Sequence, residues 1–185
     1  MRIIGGDAKG RTLLIPGKSK ARPTSDRIKE SLFNILSSVS GKTFIDAFAG
    51  TGNIGIEALS RGAAFAAFIE KDVMLSEYIK KNLSRCGFSG RYQIFTTDVR
   101  KAVLTLQANR LCFDIIFADP PYETGMVKET LSYFADGTLI SENSLLIIQH
   151  SVREELRQDK VEAFTLTDQR RYGDTALSFL KISLR

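Results

Sequence analysis

Thr43-Phe44-Ile45-Asp46-Ala47-Phe48-Ala49-Gly50-Thr51-Gly52-Asn53-Ile54-Gly55 decides how this chain is laid out. A short apolar run ends in a glycine-rich turn, and a helical pattern then runs from Asn53 to about Arg61. Gly62 follows, at the position where a left-handed residue ends a helix with little strain. Strand, glycine turn and helix form the opening unit of a parallel α/β sheet. Gly50, Gly52 and Gly55 also fit the spacing G-x-G-x-x-G, and Glu70 lies twenty residues after the first of them. Glycines let the backbone approach a ligand, and an acid at the end of the second strand can accept from ribose hydroxyls.

Outward from this stretch, short apolar runs keep alternating with helical patterns. Upstream, a helix starts near Thr24 or Ser25, either able to cap it, with Ile28, Leu32 and Leu36 along one face. Downstream, strand two covers Phe65–Glu70, and a helix carries Met74, Leu75, Tyr78, Ile79 and Leu83 before Gly87. Strand three is Tyr92–Thr97, strand four Phe113–Ala118 and strand five Ser144–Gln149, with a helix at Met126–Phe134 between the last two. Phe164–Arg171, a Tyr172-Gly173-Asp174 turn and Thr175–Leu184 then form an antiparallel hairpin. At the other end, residues 2–4 and 11–15 form a small hairpin around a glycine-rich stretch, and Pro16 to Pro23 is a polar, basic loop. The expected fold is α/β: a mostly parallel seven-stranded sheet ending in an antiparallel hairpin, with a small N-terminal β-hairpin extension. Residues 1–23 make that extension and residues 24–185 the main domain.

Composition narrows the function classes. No stretch approaches the roughly 18 apolar residues a membrane helix needs, and Met1-Arg2-Ile3-Ile4-Gly5-Gly6 lacks the apolar core of a secretory signal. A cytoplasmic protein is expected. Cys86 and Cys112 have no metal-type spacing and are expected as two buried thiols in a reducing compartment. His150 is the only histidine, which disfavours a multi-His metal site or a Ser-His machine and leaves it a structural role. The charge is uneven. Residues 1–29 hold eight basic side chains (Arg2, Lys9, Arg11, Lys18, Lys20, Arg22, Arg27, Lys29) against Asp7 and Asp26, whereas the rest of the chain carries 18 basic and 19 acidic groups. The whole net charge of +5 therefore comes from the N-terminal segment, an electrostatic footprint for a polyanion.

Strand four ends in Asp119-Pro120-Pro121-Tyr122. Prolines lack the N–H that would extend a ladder, so the strand stops there in a rigid corner. Asp119, the Pro120 carbonyl and the Tyr122 ring can grip a planar amine: two acceptors for its N–H groups and a ring for its face. Asp46, Glu70 and Asp98 end the first three strands. A nicotinamide dinucleotide is the competing ligand for the glycine loop, but Asp46 would repel its pyrophosphate. Four acidic strand ends suit the cationic S-adenosylmethionine better. Asp46 would accept from its ammonium, Glu70 from its ribose and Asp98 from its adenine amine. The expected cofactor contacts are Asp46, Phe48, Gly50, Thr51, Gly52, Glu70, Lys71, Asp98, Val99 and Asp119.

Asp-Pro-Pro-Tyr after such a loop resembles the motif of Rossmann-like class I methyltransferases that modify exocyclic amines of adenine or guanine, or side-chain amides. More narrowly, three stretches resemble the bacterial RsmD family of guanine-N2 methyltransferases, which act on 16S ribosomal RNA. They are Arg2-Ile3-Ile4-Gly5-Gly6 with Lys9-Gly10-Arg11, Arg22-Pro23-Thr24-Ser25-Asp26-Arg27 with Glu30-Ser31-Leu32-Phe33-Asn34, and Phe48-Ala49-Gly50-Thr51-Gly52 with Gly55-Ile56-Glu57-Ala58-Leu59-Ser60-Arg61-Gly62-Ala63. Gln149-His150-Ser151 departs from the family, which leads one to expect an acidic residue there, and Lys9 stands where arginine is commoner. The resemblance implies methyl transfer from S-adenosylmethionine to a guanine amine in 16S rRNA, inside the small subunit or an assembly intermediate, with S-adenosylhomocysteine as product. It needs no metal, and a monomer is expected. Asp119, Pro120, Pro121 and Tyr122 would be catalytic, and Arg2, Lys9, Arg11, Lys18, Lys20, Arg22 and Arg27 would hold RNA. DNA adenine, a protein glutamine, or a non-catalytic RNA-binding role are the alternatives.

Overall fold

A computed structural model of the chain describes residues 1–17, 26–135, 138–154, 156 and 163–182. Its elements in order are α1 (Asp26–Ile35), β1 (Thr43–Ala47), α2 (Asn53–Ser60), β2 (Phe65–Ile69), α3 (Val73–Cys86), β3 (Tyr92–Phe95), α4 (Val99–Ala108), β4 (Ile115–Ala118), α5 (Met126–Phe134), β5 (Leu145–Ser151), β6 (Phe164–Tyr172) and β7 (Thr175–Ile182). The seven strands form a sheet in the order β3-β2-β1-β4-β5-β7-β6. This is the expected mostly parallel sheet with an antiparallel hairpin at its end. Among the described residues, no helix is long and apolar enough to cross a membrane. The chain divides into two compact units, Met1–Asp98 and Val99–Arg185.

In the first unit β1 and β3 flank β2, all parallel. Phe44, Ile45, Phe68 and Ile69 are fully buried, each worth about 1.5–3 kcal/mol relative to exposure. Helix α2 packs so closely on β2 that a Cβ added at Gly55 would come within 2.3 Å of the Phe68 ring. The third glycine of the loop is therefore a packing glycine. Asp72 caps α3, its carboxylate accepting from the Leu75 N–H at 3.1 Å, and Gly87 ends that helix at φ 79°. The N-terminal hairpin is short. Arg2 and Thr12 form a single antiparallel bridge, and Ile3 donates to the Arg11 carbonyl at 2.9 Å. It is tied to the helices rather than standing apart. Ile4 N–H donates to Glu57, Ala8 N–H to Ser60 Oγ, and Leu14 exchanges two hydrogen bonds with the Asn82 amide.

In the second unit β4 and β5 are parallel, β7 pairs antiparallel with β5, and β6 with β7. Helix α4 has no counterpart in the sequence reading, which places no element between strands three and four. Val99, Ala102, Val103 and Leu106 bury one face of it, but Leu104, 57% exposed, breaks the apolar stripe from outside. His150 is buried, its Nδ1 against the Ser151 carbonyl and its Nε2 against Ser178 Oγ, both at 2.8 Å. Burial lowers its pKa, against smaller upward pulls from Ser151 and Glu154. That is the structural role expected. Cys86 is buried, and burial pushes its thiol pKa up. Cys112 corrects the expectation of two buried thiols: it is exposed, because it precedes the first buried residue leading into β4.

Candidate active site

The glycine loop of the first unit is built from three left-handed residues at alternate positions: Phe48 at φ 64°, Gly50 at φ 57° and Gly52 at φ 84°. A phenylalanine in that region is strained by about 1–2 kcal/mol, and such outliers collect at ligand-binding loops. Two carboxylates hold the loop. Asp46, 2% exposed, accepts from the Gly55 N–H at 2.7 Å through Oδ2, and so supplies the cap that Gly52 has no side chain to make. Glu70 accepts from the Gly50 N–H at 2.7 Å and from the Asp72 N–H at 2.9 Å, one on each carboxylate oxygen. Thr51 is buried, and its carbonyl accepts from the Asn82 amide at 3.0 Å.

The three glycines do different work. A Cβ on Gly52 would meet Ile56 and Ile79 side chains at 3.1–3.4 Å, and one on Gly55 would strike Phe68. A Cβ on Gly50 would meet nothing within 4 Å. Gly50 is therefore the open face of the cradle. Beside it Glu70 has lone pairs left for hydroxyl donors. Lys71 and Asp98 are exposed, Phe48 is half-buried, and Val99 is buried at the start of α4 in the second unit. Acceptors beside an open backbone face fit the ribose of S-adenosylmethionine.

The second unit carries the Pro-Pro corner. Every residue of β4 is buried, and Asp119 follows directly, then buried Pro120 and exposed Pro121. The pairing of Ala118 with Ile148 sets Asp119, just past the end of β4, beside Gln149 on β5. Part of the Asp119 residue reaches solvent, yet its carboxyl group is set deep enough that burial raises its pKa to about 7, opposed by a hydrogen bond from Gln149. Tyr122 is 38% exposed. Its hydroxyl accepts from Gln149 Nε2 at 3.0 Å and lies 3.4 Å from Thr175 Oγ1 on β7. Glu123 accepts from Ser151 Oγ at 3.2 Å and pairs with Arg153 at 3.3 Å. The corner is thus fastened to β5 and β7, with the ring of Tyr122 left accessible. Gln149 and Thr175 were not among the expected site residues. Aligning the ends of neighbouring parallel strands is the signal that points to Gln149; nothing local marks Thr175.

The basic N-terminal segment is less uniform than its charge count. Lys29 is fully buried: its ammonium donates to Asn53 Oδ1 at 2.8 Å and to the Arg2 carbonyl, and lies 3.3 Å from Glu57. Burial lowers its pKa, with Glu57 pulling the other way. Glu57 also pairs with Arg61 at 2.8 Å. Lys29 is therefore a clamp between the N-terminal segment and α2, not part of a surface for a polyanion. Arg2 pairs with Asp26 at 3.6 Å, and Arg11 donates to the Arg85 carbonyl at 3.0 Å. Lys9 and Arg27 are exposed. Lys18, Lys20 and Arg22, with the capping candidates Thr24 and Ser25, lie outside the described residues.

Comparison with known proteins adds a family. The model of the family described as conserved hypothetical protein 95 matches residues 1–181. Ribosomal RNA small subunit methyltransferase D of Escherichia coli is 36% identical over 157 residues, 84% of this chain and 77% of that protein. Its Haemophilus influenzae namesake is 32% identical over 150 residues, 80% and 78% of the two chains. A solved structure of a Thermus thermophilus hypothetical protein superposes with a TM-score of 0.83 at 28% identity, covering 100% of this chain and 99% of that one.

Proposed function

Because the chain belongs to the RsmD family, the family of conserved hypothetical protein 95, we propose that it transfers a methyl group from S-adenosylmethionine to the exocyclic N2 amine of a guanine in small-subunit ribosomal RNA. The observation that carries the chemistry is Asp119: a carboxyl group at the end of a buried strand, hydrogen-bonded by Gln149 and one turn of chain from an accessible tyrosine ring. When bound, S-adenosylmethionine supplies an electrophilic methyl group. Glu70, the open face at Gly50 and the exposed Asp98 would hold its ribose and adenine.

A guanine amine is a poor nucleophile because its lone pair is delocalised into the ring. Asp119 and the Pro120 carbonyl, accepting from its two N–H groups, favour a pyramidal nitrogen. Most of the gain is positional, since effective molarities of about 10^5 M or more come from fixed orientation. Ionised Asp119 also stabilises the positive charge that grows on the nitrogen. With a pKa of about 7, it is matched to receive the amine proton near neutral pH. Tyr122 stacks on the base, which must first leave its own stack. RNA is held by basic side chains of the N-terminal segment: the exposed Lys9 and Arg27, together with Lys18, Lys20 and Arg22. The protein acts as a cytoplasmic monomer on 16S rRNA within the subunit or an assembly intermediate, and needs no metal.

The test is incubation of the purified protein with labelled S-adenosylmethionine and small subunits from a strain lacking this activity, followed by nucleoside digestion. One new N2-methylguanosine is expected. Label transferred instead to adenine of added DNA, or to a protein glutamine in parallel incubations, would support those substrates. Absence of S-adenosylmethionine binding by calorimetry would leave an RNA-binding module or a dinucleotide-binding protein.

A further inference from the structure

Gln149 lies on β5, two residues before its end, and is 4% exposed. Its Nε2 donates to the Tyr122 hydroxyl at 3.0 Å, and the amide also hydrogen-bonds the Asp119 carboxylate. A primary amide has two N–H groups, so it can serve both acceptors at once. The other end of the same amide, Oε1, is buried with no hydrogen-bond partner. A buried acceptor left unsatisfied destabilises a fold, whereas an apolar side chain of similar length would carry no such penalty. Gln149 therefore leaves one buried acceptor unpaired while joining two groups of the corner.

Resting on the methyltransferase reading above, we propose that Gln149 is a positioning residue. Its amide ties the Asp119 carboxylate to the Tyr122 hydroxyl, so that the acceptor of the substrate amine and the ring beneath the base stand at a fixed spacing. Tyr122 is braced from the other side by Thr175, the residue of β7 that pairs with Ser151 on β5. The same amide favours the ionised form of Asp119 against the burial that disfavours it. The nearby charged groups of the second unit are Glu123, paired with Arg153, Glu154, which accepts from the Ser151 N–H, and Asp174, in the turn before β7. His150, next to Gln149 on β5, bonds to Ser178 and so belongs to the opposite face. A change at Gln149 leaves all of these in place.

The experiment uses the full chain with Gln149→Leu and Gln149→Glu. The Asp119 carboxyl is followed by carbon NMR against pH in the protein alone, assigned by its absence in Asp119→Asn. The pH profile of single-turnover methyl transfer to small subunits and the urea midpoint are measured beside it. For Gln149→Leu both the titration and the rate profile should move alkaline by about half a unit or more, because a donor to the charged form is lost. Its rate at pH 7 should fall about tenfold and partly recover above pH 8, while the urea midpoint at pH 5, where Asp119 is protonated in both proteins, changes little. For Gln149→Glu the alkaline displacement should be larger, since a second carboxylate adjoins the first. An unchanged Asp119 titration in Gln149→Leu overturns the proposal, as does a lower urea midpoint with an unmoved profile. If the wild-type protein methylates no RNA, the methyltransferase reading fails, while the titration still decides the Asp119–Gln149–Tyr122 bridge.

Discussion

Replacing Asp119 by asparagine should make the protein more stable, and increasingly so as pH rises. The ordinary carboxyl value is 3.8, and burial raises it to about 7 in the folded protein. Each tenfold change in proton affinity is worth about 1.4 kcal/mol. Between those two values the folded protein binds the proton and the unfolded chain releases it. Stability from this group is therefore fully present below the unfolded value and is lost as pH rises through the folded one. Relative to a side chain that cannot ionise, the loss is less than about 2 kcal/mol at pH 5 and about 4 kcal/mol at pH 8, as an upper bound. Asparagine has nearly the same volume as aspartate, so other consequences of Asp119→Asn should vary little with pH. Urea unfolding of both proteins at pH 5, 6, 7 and 8 should show their difference widening by about 2 to 3 kcal/mol. Methyl transfer by the variant should be lost throughout while S-adenosylmethionine binding stays within several-fold. A stability difference that is the same at pH 5 and pH 8 would refute the buried, proton-holding carboxyl. Near-normal turnover would refute its catalytic role.

The glycine loop should separate packing from binding. Gly55→Ala, facing Phe68 at 2.3 Å, should lower stability by about 1–3 kcal/mol. Gly50→Ala, facing open space, should cost about 1–2 kcal/mol in left-handed strain but sharply weaken S-adenosylmethionine in calorimetry; undiminished binding would rule out the cradle. Glu57→Ala strands the buried ammonium of Lys29 and should cost about 3–5 kcal/mol, read as a fall in melting temperature; a small change would mean that Lys29 finds water. Tyr122→Ala should lose about 1–3 kcal/mol of base stacking in RNA affinity. Tyr122→Phe keeps the ring but releases Gln149, so its rate should suffer more than its RNA binding. Changing Lys18, Lys20 and Arg22 together to glutamine should flatten the salt dependence of RNA binding by about 0.7 per lost phosphate contact on a single strand. Intact RNA binding with a lower melting temperature would assign that stretch a structural task.

Local pattern was enough for much of the architecture. Helix α5 runs over Met126–Phe134 as its periodicity predicts, β4 stops at the prolines, and the Tyr172-Gly173-Asp174 turn joins two antiparallel strands. These follow from side-chain period and from φ and N–H constraints, which neighbouring residues impose on each other. Spacing likewise marks Asp46, Gly50, Gly52, Gly55 and Glu70 as one loop. What each does was decided by contacts across the chain. Gly50 faces open space and Gly55 the Phe68 ring on β2, while Asp46 spends one oxygen on the Gly55 amide. Lys29 counts as a positive charge in the sequence, yet Glu57, Asn53 and the Arg2 carbonyl take it inside. Gln149 reads only as a departure from the family pattern until the register of β4 and β5 sets it beside Asp119. Charge and hydrogen-bonding capacity are properties of a residue, whereas desolvation and partnership depend on which distant residues fold against it.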